Sequence, residues 1–266
     1  MEPIKVMFLN PVGTGDYDAF FAQMAEEHRH PATEVHVTSL DPAVGPFTHI
    51  EYRAYEAMVL PHILQATVQA GREGFDALVI GCFYDTGLLD AREISDTTVV
   101  VAPCHASIET ALRLANSFSI VVGRWKWVHQ MENTVHGYGY SRQLRSFRAV
   151  EMGVVEFQQD HDCTRERLVQ AGRAAVQEDR AEAVILGCTL ETGFYQELQD
   201  ELGVPVIDPS IAALKVAEHA AHLRRRQGWI PSRRWSSQAP PAQELAALGL
   251  FQRPYAFGNR IVVPPA

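Results

Sequence analysis

Residues 76–87 read DALVIGCFYDTG and residues 182–193 read EAVILGCTLETG. Both follow one pattern: an acid, Ala, three apolar residues, Gly-Cys, two variable residues, a second acid, then Thr-Gly. A short apolar run rich in β-formers and closed by Gly is the pattern of a buried parallel strand. A residue just past the carboxyl end of such a strand lies where open α/β sheets bind ligands. Cys82 and Cys188 hold the same place in the two copies, so the pattern predicts a thiol at each of two matching strand ends. A lone buried Cys is more often packing than chemistry. The same acid and Thr-Gly after both cysteines favour a shared functional role.

Working outward, the chain alternates strand and helix signals. Residues 4–9 predict a strand, followed by the Pro/Gly-containing loop 10–15. That loop lacks the Gly-Lys-Ser/Thr of a P-loop and the Gly-x-Gly-x-x-Gly of a dinucleotide site, so it is read as a polar, substrate-facing loop. A helix is expected over 16–27, a strand over 34–38 and a long helix over 51–72 with Pro61 as a kink or break. After the first cysteine come a short helix (88–94), a strand (97–102) ended by Pro103-Cys104-His105, and a helix (106–116). Residues 118–122 open a second pass. Helices are expected over 128–138, 164–178 and 194–202, the last ended by Gly203. A strand at 204–207 and Asp208-Pro209-Ser210 as the start signal for a helix over 211–226 complete it.

The repeated order predicts an α/β fold of two pseudo-symmetric lobes with mainly parallel sheets flanked by helices, the active site in the inter-lobe cleft. The expected boundaries are 1–102 with 208–226 for the first lobe and 103–207 for the second. Residues 227–266, rich in Pro, Arg and Trp, are expected to form an extension that packs on the body or on a neighbouring subunit.

With 266 residues, 47% of them hydrophobic and 21% charged, the chain can bury a full core. A formal net charge of −9 and the absence of a basic stripe argue against nucleic-acid binding. Arg224-Arg225-Arg226 and Arg233-Arg234 read as a solvated helix end. No signal-peptide pattern and no membrane-length apolar run occur. Four cysteines in a chain this long do not make a disulfide scaffold, which fits a reducing cytoplasm. No zinc-ligand spacing is present, so no structural metal is expected. The expected partner is a small-molecule substrate, within a homo-oligomer.

Among the remaining candidates, Arg124 and Lys126 follow a strand end and suit a substrate carboxylate, or else lie in a solvated loop over the rings of Trp125 and Trp127. His105 either orients a thiol or is structural. Cys104 joins the site only if its loop turns inward. Asp85 and Glu191 either position substrate or cap short helices. Cys163, in QQDHDCTRE, is read as irrelevant to chemistry.

These motifs resemble the aspartate/glutamate/hydantoin racemase superfamily, in particular its hydantoin- and allantoin-racemase branch, over about residues 4–222. The likeness is carried by Asn10-Pro11, GCFYDTGLLDARE around Cys82, SFSIVVGRWKWVHQMENTVHGYG, LGCTLETG around Cys188 and VPVIDPSIAALKVAEH. It implies cofactor-free racemisation in which Cys82 and Cys188 take and return a proton at a carbon next to a carbonyl. Asn10, Phe83, Tyr84, Asp85, Thr86, His105, Arg124, Lys126, Thr189, Leu190 and Glu191 would contact substrate. The branch usually has Gly-Asp-Pro-Gly where this chain has Tyr84-Asp85-Thr86-Gly87, and Gly-Cys-Ala-Gly-Met where it has Gly-Cys-Thr-Leu-Glu. These departures keep two alternatives open: a thiolate that attacks a carboxylated thiohydantoin-like ring in a desulfhydrase or hydrolase reaction, and a ligand-binding protein without turnover.

Overall fold

The computed structural model describes residues 3–266. In the first pass the elements are β1 (Ile4–Asn10), α1 (Asp18–His28), β2 (Thr33–Ser39), α2 (Arg53–Arg72), β3 (Ala77–Ile80), α3 (Leu88–Ile94), β4 (Val99–Val101) and α4 (Pro103–Leu114). In the second they are β5 (Phe118–Val122), α5 (Trp125–Gly137), β6 (Leu144–Ala149), α6 (His161–Gln177), β7 (Ala183–Leu186), α7 (Tyr195–Leu202), β8 (Val206–Ile207) and α8 (Pro209–Gln227). The chain ends with α9 (Ala242–Ala247) and β9 (Arg260–Val263).

Two compact units result. One contains the described residues up to Gly81, Thr86–Val101 and Leu214–Ala266; the other contains Cys82–Asp85 and Ala102–Ala213. The boundaries read from sequence differ at several places. Cys82–Asp85, Ala102 and residues 208–213 belong with the second unit, and residues 227–266 belong with the first.

The first unit's sheet has the order β4-β3-β1-β2-β9, parallel except for β9, which runs antiparallel to β2. The second unit's sheet has the order β6-β5-β7-β8 and is parallel throughout. In each sheet the chain starts on an inner strand, moves one way, then returns to the other side of that strand. The reversal falls between β1 and β3 in one sheet and between β5 and β7 in the other, the crevice position for ligands in open parallel sheets. β3, β5 and β7 are buried along their whole length, as their unbroken apolar runs predict.

The Gly before each cysteine has a packing cause. Gly81 N–H donates to Leu9 O at 2.8 Å, and Gly187 N–H donates to Val121 O at 2.7 Å. A Cβ would lie 2.9 Å from Leu9 O at Gly81 and 2.5 Å from Val121 O at Gly187. Only glycine lets β3 and β7 press this closely against the neighbouring strand.

The opening acids of the two copies also correspond. Asp76 Oδ2 accepts the N–H of Lys5 at 2.9 Å, and Glu182 Oε2 accepts the N–H of Asn116 at 2.8 Å, each at the start of the inner strand. Asp76 is buried and additionally holds Arg224 and Arg225 of α8. Those arginines therefore tie α8 to the sheet and are not the solvated helix end expected from sequence. Arg233 likewise donates to Arg92 O and Ser95 Oγ.

Other local expectations shift. α2 runs unbroken through Pro61, because Pro61 and Ala57, whose carbonyl loses its partner, lie on the exposed face. Its buried side is Val59, Ile63, Ala66, Thr67 and Ala70, a helical stripe. Pro103-Cys104-His105 opens α4 and does not end a strand, since Pro suits the first helical position. α5 begins at Trp125, so Trp125-Lys126-Trp127 is its first turn, and α6 begins at His161, which places Cys163 in its first turn. The tail is structured: β9 adds an edge strand. No described helix is long and apolar enough to cross a membrane.

Asp76→Ala leaves two partly buried guanidinium groups and one backbone N–H without their acceptor. The expected cost is about 2–3 kcal/mol, a fall of roughly 5–10 °C in melting temperature. Arg226→Ala, at an exposed position of the same run, should change stability by less than about 0.5 kcal/mol. Thermal and urea unfolding of both variants checks the contrast.

Candidate active site

The first cysteine turn leaves β3 through Gly81. Cys82 is half-buried, and its carbonyl accepts the N–H of Asp85 at 2.9 Å. Asp85 sits at φ 54°, left-handed backbone that is uncommon for a residue with a side chain. Its carboxylate explains the geometry: it accepts the N–H of Cys104 at 2.8 Å, the N–H of His105 at 2.9 Å and the hydroxyl of Tyr138 at 2.8 Å. Ala102 occupies the N-cap of α4 and offers no side-chain acceptor, so Asp85 caps that helix from a distant part of the chain. The sequence reading allowed a capping role for Asp85. The structure assigns it to α4, not to the short helix that follows the turn.

Phe83 and Tyr84 are buried beside it. Thr86 belongs to the first unit, where its hydroxyl donates to Glu56 Oε2 at 2.6 Å. His105 packs edge-on against Tyr138, ring centroids 4.7 Å apart, with Nδ1 3.6 Å from Glu109 Oε2. Cys104 is fully buried on α4. Burial pushes its thiol well up from the ordinary range, and Asp85 and Cys82 add to the rise. It is packed in the core at the start of α4. Cys163 is half-buried on α6, away from both motif turns in sequence.

The second turn begins at buried Cys188, followed by a single 3-10 turn over Thr189–Glu191. Glu191 N–H closes it on Cys188 O at 3.0 Å. Ser210 Oγ donates to Thr189 O at 3.3 Å and Gln158 Nε2 to Leu190 O at 2.7 Å, so side chains from two other segments hold the turn. Asp208 is buried and accepts from Thr192 Oγ1, Gly193 N–H and Ser210 N–H, each at 3.0 Å, and from Ile211 N–H at 3.2 Å. Burial raises its pKa, and these donors oppose the rise. Asp208 caps its own helix and ties the Thr192-Gly193 end of the motif to it.

Glu191 differs from every other acid in the two motifs. Its side chain is fully buried and neither carboxyl oxygen has a hydrogen-bond partner of good geometry. Burial pushes this carboxyl well above the ordinary range, Asp208 adds to the rise, and the nearby backbone N–H groups of Gly187 and Cys188 offset part of it. It is no helix cap.

Arg124 is half-buried at the N-cap of α5, at the carboxyl end of β5 and hence on the sheet edge that carries Cys188. Lys126 is exposed in the first helical turn. Trp127 packs over Gly123, where a Cβ would meet its ring at 2.4 Å, whereas Trp125 is 63% exposed. Asn10 ends β1 and is buried; its amide donates to Asp18 Oδ1 at 3.0 Å. Asp18 is itself buried, which raises its pKa against hydrogen bonds from Asn10, Ser39 and Asn259.

Cys82–Asp85, His105, Arg124, Lys126 and Cys188–Glu191 thus share the second unit, whereas Asn10 and Thr86 belong to the first. Sequence reasoning missed Tyr138, which lies in the quoted SFSIVVGRWKWVHQMENTVHGYG stretch but carried no local signal. It took Asp208 for a helix start and not for a tether of the second motif. Among the described residues no group of three or more His, Cys, Asp or Glu is arranged to hold a metal ion.

The family model described as Asp/Glu/hydantoin racemase matches residues 6–217. A hydantoin racemase of Paenarthrobacter aurescens is 34% identical over 242 residues, 91% of this chain and 99% of that protein. A hydantoin racemase of Pseudomonas sp. (strain NS671) is 36% identical over 194 residues, covering 73% of this chain and 77% of the relative. Among solved structures, allantoin racemase from Klebsiella pneumoniae superposes with a TM-score of 0.77 at 26% identity, covering 90% of this chain and 94% of that one.

Two substitutions test the turn geometry. Gly187→Ala drives a Cβ into the Val121 carbonyl and should cost about 1–3 kcal/mol, whereas Gly137→Ala, with open space at the end of α5, should be neutral or stabilise by about 0.4–1 kcal/mol. Denaturant midpoints read the difference. Glu191 makes a pH prediction. A carboxyl whose folded pKa is raised binds its proton more tightly in the native state, so stability falls as pH rises above the unfolded value of 4.5. Glu191→Gln removes this term. Its stability relative to the unmodified chain should therefore improve from acid to alkaline pH, as measured by unfolding at a series of pH values.

Proposed function

The chain belongs to the Asp/Glu/hydantoin racemase family, and from that premise we propose that it racemises hydantoin-type rings without a cofactor, through Cys82 and Cys188. It is a racemase-superfamily enzyme; the ring substrate and the pairing of the two thiols are our reading. The observation that supports it best is the duplicated Gly-Cys turn, which leaves the carboxyl end of β3 and of β7 through the same glycine contact with the adjoining strand, beside the point where each sheet reverses its strand order.

The chemistry follows from the thiols. A hydantoin's stereogenic ring carbon lies beside a carbonyl, so removing its proton gives a carbanion delocalised as an enolate. One cysteine thiolate takes that proton and becomes a thiol. The other thiol gives its proton to the opposite face of the same carbon and becomes a thiolate. No bond to carbon other than C–H changes, and the two sulfurs end with exchanged protonation, ready for the reverse direction. A reference thiol pKa of about 8.5 lies close enough to neutrality for either role. Backbone N–H groups of the turns after the cysteines are assigned to the developing enolate oxygen. Arg124, on the Cys188 edge, is assigned to an acidic substituent on the ring. The hydantoin and allantoin racemases among the relatives favour this substrate class.

Cys82→Ala and Cys188→Ala are each expected to lower racemisation of chiral 5-substituted hydantoins by at least about 100-fold. Polarimetry follows the racemisation and proton NMR in deuterated water follows exchange. Exchange of the ring proton should persist for one enantiomer in at least one variant, because a single thiol still serves one face. Full racemisation by either variant would overturn the two-thiol mechanism. Sulfide release from thiohydantoins that depends on one cysteine alone would replace it with hydrolysis.

A further inference from the structure

β1, an inner strand of the first sheet, ends at Asn10, level with Ser39 of β2. On its other side Gly81, the residue before Cys82, is bonded to Leu9 O. Asn10 therefore stands at the carboxyl edge where this sheet reverses its order. Its backbone carbonyl is taken by the N–H of Val12 at 2.8 Å, and its side-chain amide donates to Asp18 Oδ1 at 3.0 Å. Asp18 opens α1 and is fully buried, yet its second oxygen, Oδ2, closes no hydrogen bond of good geometry. An acid favours a helix N-terminus from an exposed position as well, whereas burying one with an orphaned oxygen costs stability. Helix charge alone is a poor account of Asp18.

The groups around this carboxyl can all donate: the amide of Asn10, the hydroxyl of Ser39 and the amide of Asn259. A carboxylate only accepts, so the nitrogen of Asn10 must face Asp18 and the amide is barred from turning over. The carbonyl oxygen of Asn10 is left directed away from Asp18, as an acceptor. The C-terminal extension backs this arrangement. Gly258 N–H donates to Ser39 O and Asn259 N–H to Ser39 Oγ, both at 3.2 Å. The Ser39 hydroxyl thus accepts from the extension and keeps its own proton for Asp18. A Cβ on Gly258 would lie 2.5 Å from Leu40 O, and one on Gly15 would lie 3.3 Å from both Asn259 Nδ2 and Asp18 Oδ2. The extension is pressed onto the end of β2, with the Asn259 side chain against the loop beside Asp18.

We infer that Asp18 is a positioning residue that locks the Asn10 side chain with its carbonyl oxygen directed at the ligand, and that the C-terminal extension, through Ser39 and Asn259, holds Asp18 to that task. The ligand, and only the ligand, rests on the racemase reading: the oxygen accepts a ring N–H, which a hydantoin carries at both nitrogens. An Asn10 free to turn over would offer its NH2 instead and lose that bond.

Two measurements test this in the full chain. The first needs no turnover. With asparagine isotopically labelled for NMR, the Asn10 side-chain NH2 signal is assigned by its loss in Asn10→Ala. It should exchange with solvent at least about 10-fold more slowly than the signals of exposed asparagines, and Asp18→Leu should remove this protection. Asp18→Asn, whose amide accepts more weakly, should lose part of it and serves if the Leu variant does not fold. Protection that is absent in the unmodified chain, or that survives both Asp18 variants, would overturn the proposal.

The second measurement is steady-state racemisation of a chiral 5-substituted hydantoin. Asp18→Leu and Asn10→Ala should each raise KM by about 10-fold with little change in kcat. The double variant should be no worse than Asn10→Ala alone, because Asp18 acts through Asn10. Asn259→Ala should raise KM by about 2–3-fold, and not at all once Asn10 is Ala. Effects that simply multiply would overturn the positioning role and leave racemisation standing. An unmodified chain that turns over no hydantoin would remove the racemase reading, and the exchange measurement would still decide the lock between Asp18 and Asn10.

Discussion

The carbonyls of Leu9 and Val121, at the ends of the two inner strands, fix the position of everything that follows. Each accepts an N–H from a glycine that precedes a cysteine, at a separation that excludes any side chain. This single contact ends β3 and β7 at the point where each sheet reverses its strand order. The next residue must leave the sheet at its carboxyl edge, and in both cases that residue is a cysteine. The Gly-Cys dipeptide is thus a structural unit: the glycine supplies the close approach and the cysteine inherits the place.

What the two copies do next shows how duplicated sequence diverges in use. The first acids, Asp76 and Glu182, still serve equivalent jobs, each holding the start of the neighbouring inner strand, although Asp76 has also gained two arginines from α8. The second acids have separated. Where the following strand leads into a helix without its own capping side chain, at Ala102, the acid of the cysteine turn supplies the cap. Where the helix carries its own acid, Asp208, the acid of the turn is left with no backbone donors at that helix.

The same exchange accounts for the strain at Asp85. A left-handed backbone costs about 1–3 kcal/mol in a residue of this kind, and three hydrogen bonds to its carboxylate offset it. Because two of those bonds go to the amides of Cys104 and His105, the half-buried thiol of Cys82 and the buried thiol of Cys104 are held near one another by one acid. Burial then separates their chemistry: Cys104 cannot ionise readily, and Cys82 keeps contact with solvent.

Much of the fold was legible in sequence because it depends on short-range pattern. Apolar runs of four to six residues, glycines that end them, Gly203 beyond α7 and the Asp-Pro-Ser start of α8 all report on local backbone requirements. Where the reading slipped, the deciding partner was distant in the chain. Pro61 passes inside α2 because its face is exposed, and Arg224 and Arg225 are tied down because Asp76, some 150 residues away, is buried beneath them. The sequence by itself determined the parallel α/β architecture, the two Gly-Cys strand ends and the family. Only the tertiary structure decided which acid caps a helix, which thiol is sealed in packing and which carboxyl is stripped of partners. Hydrogen-bond donors and solvent are allotted by three-dimensional proximity, and the spacing of residues along a chain does not encode that proximity.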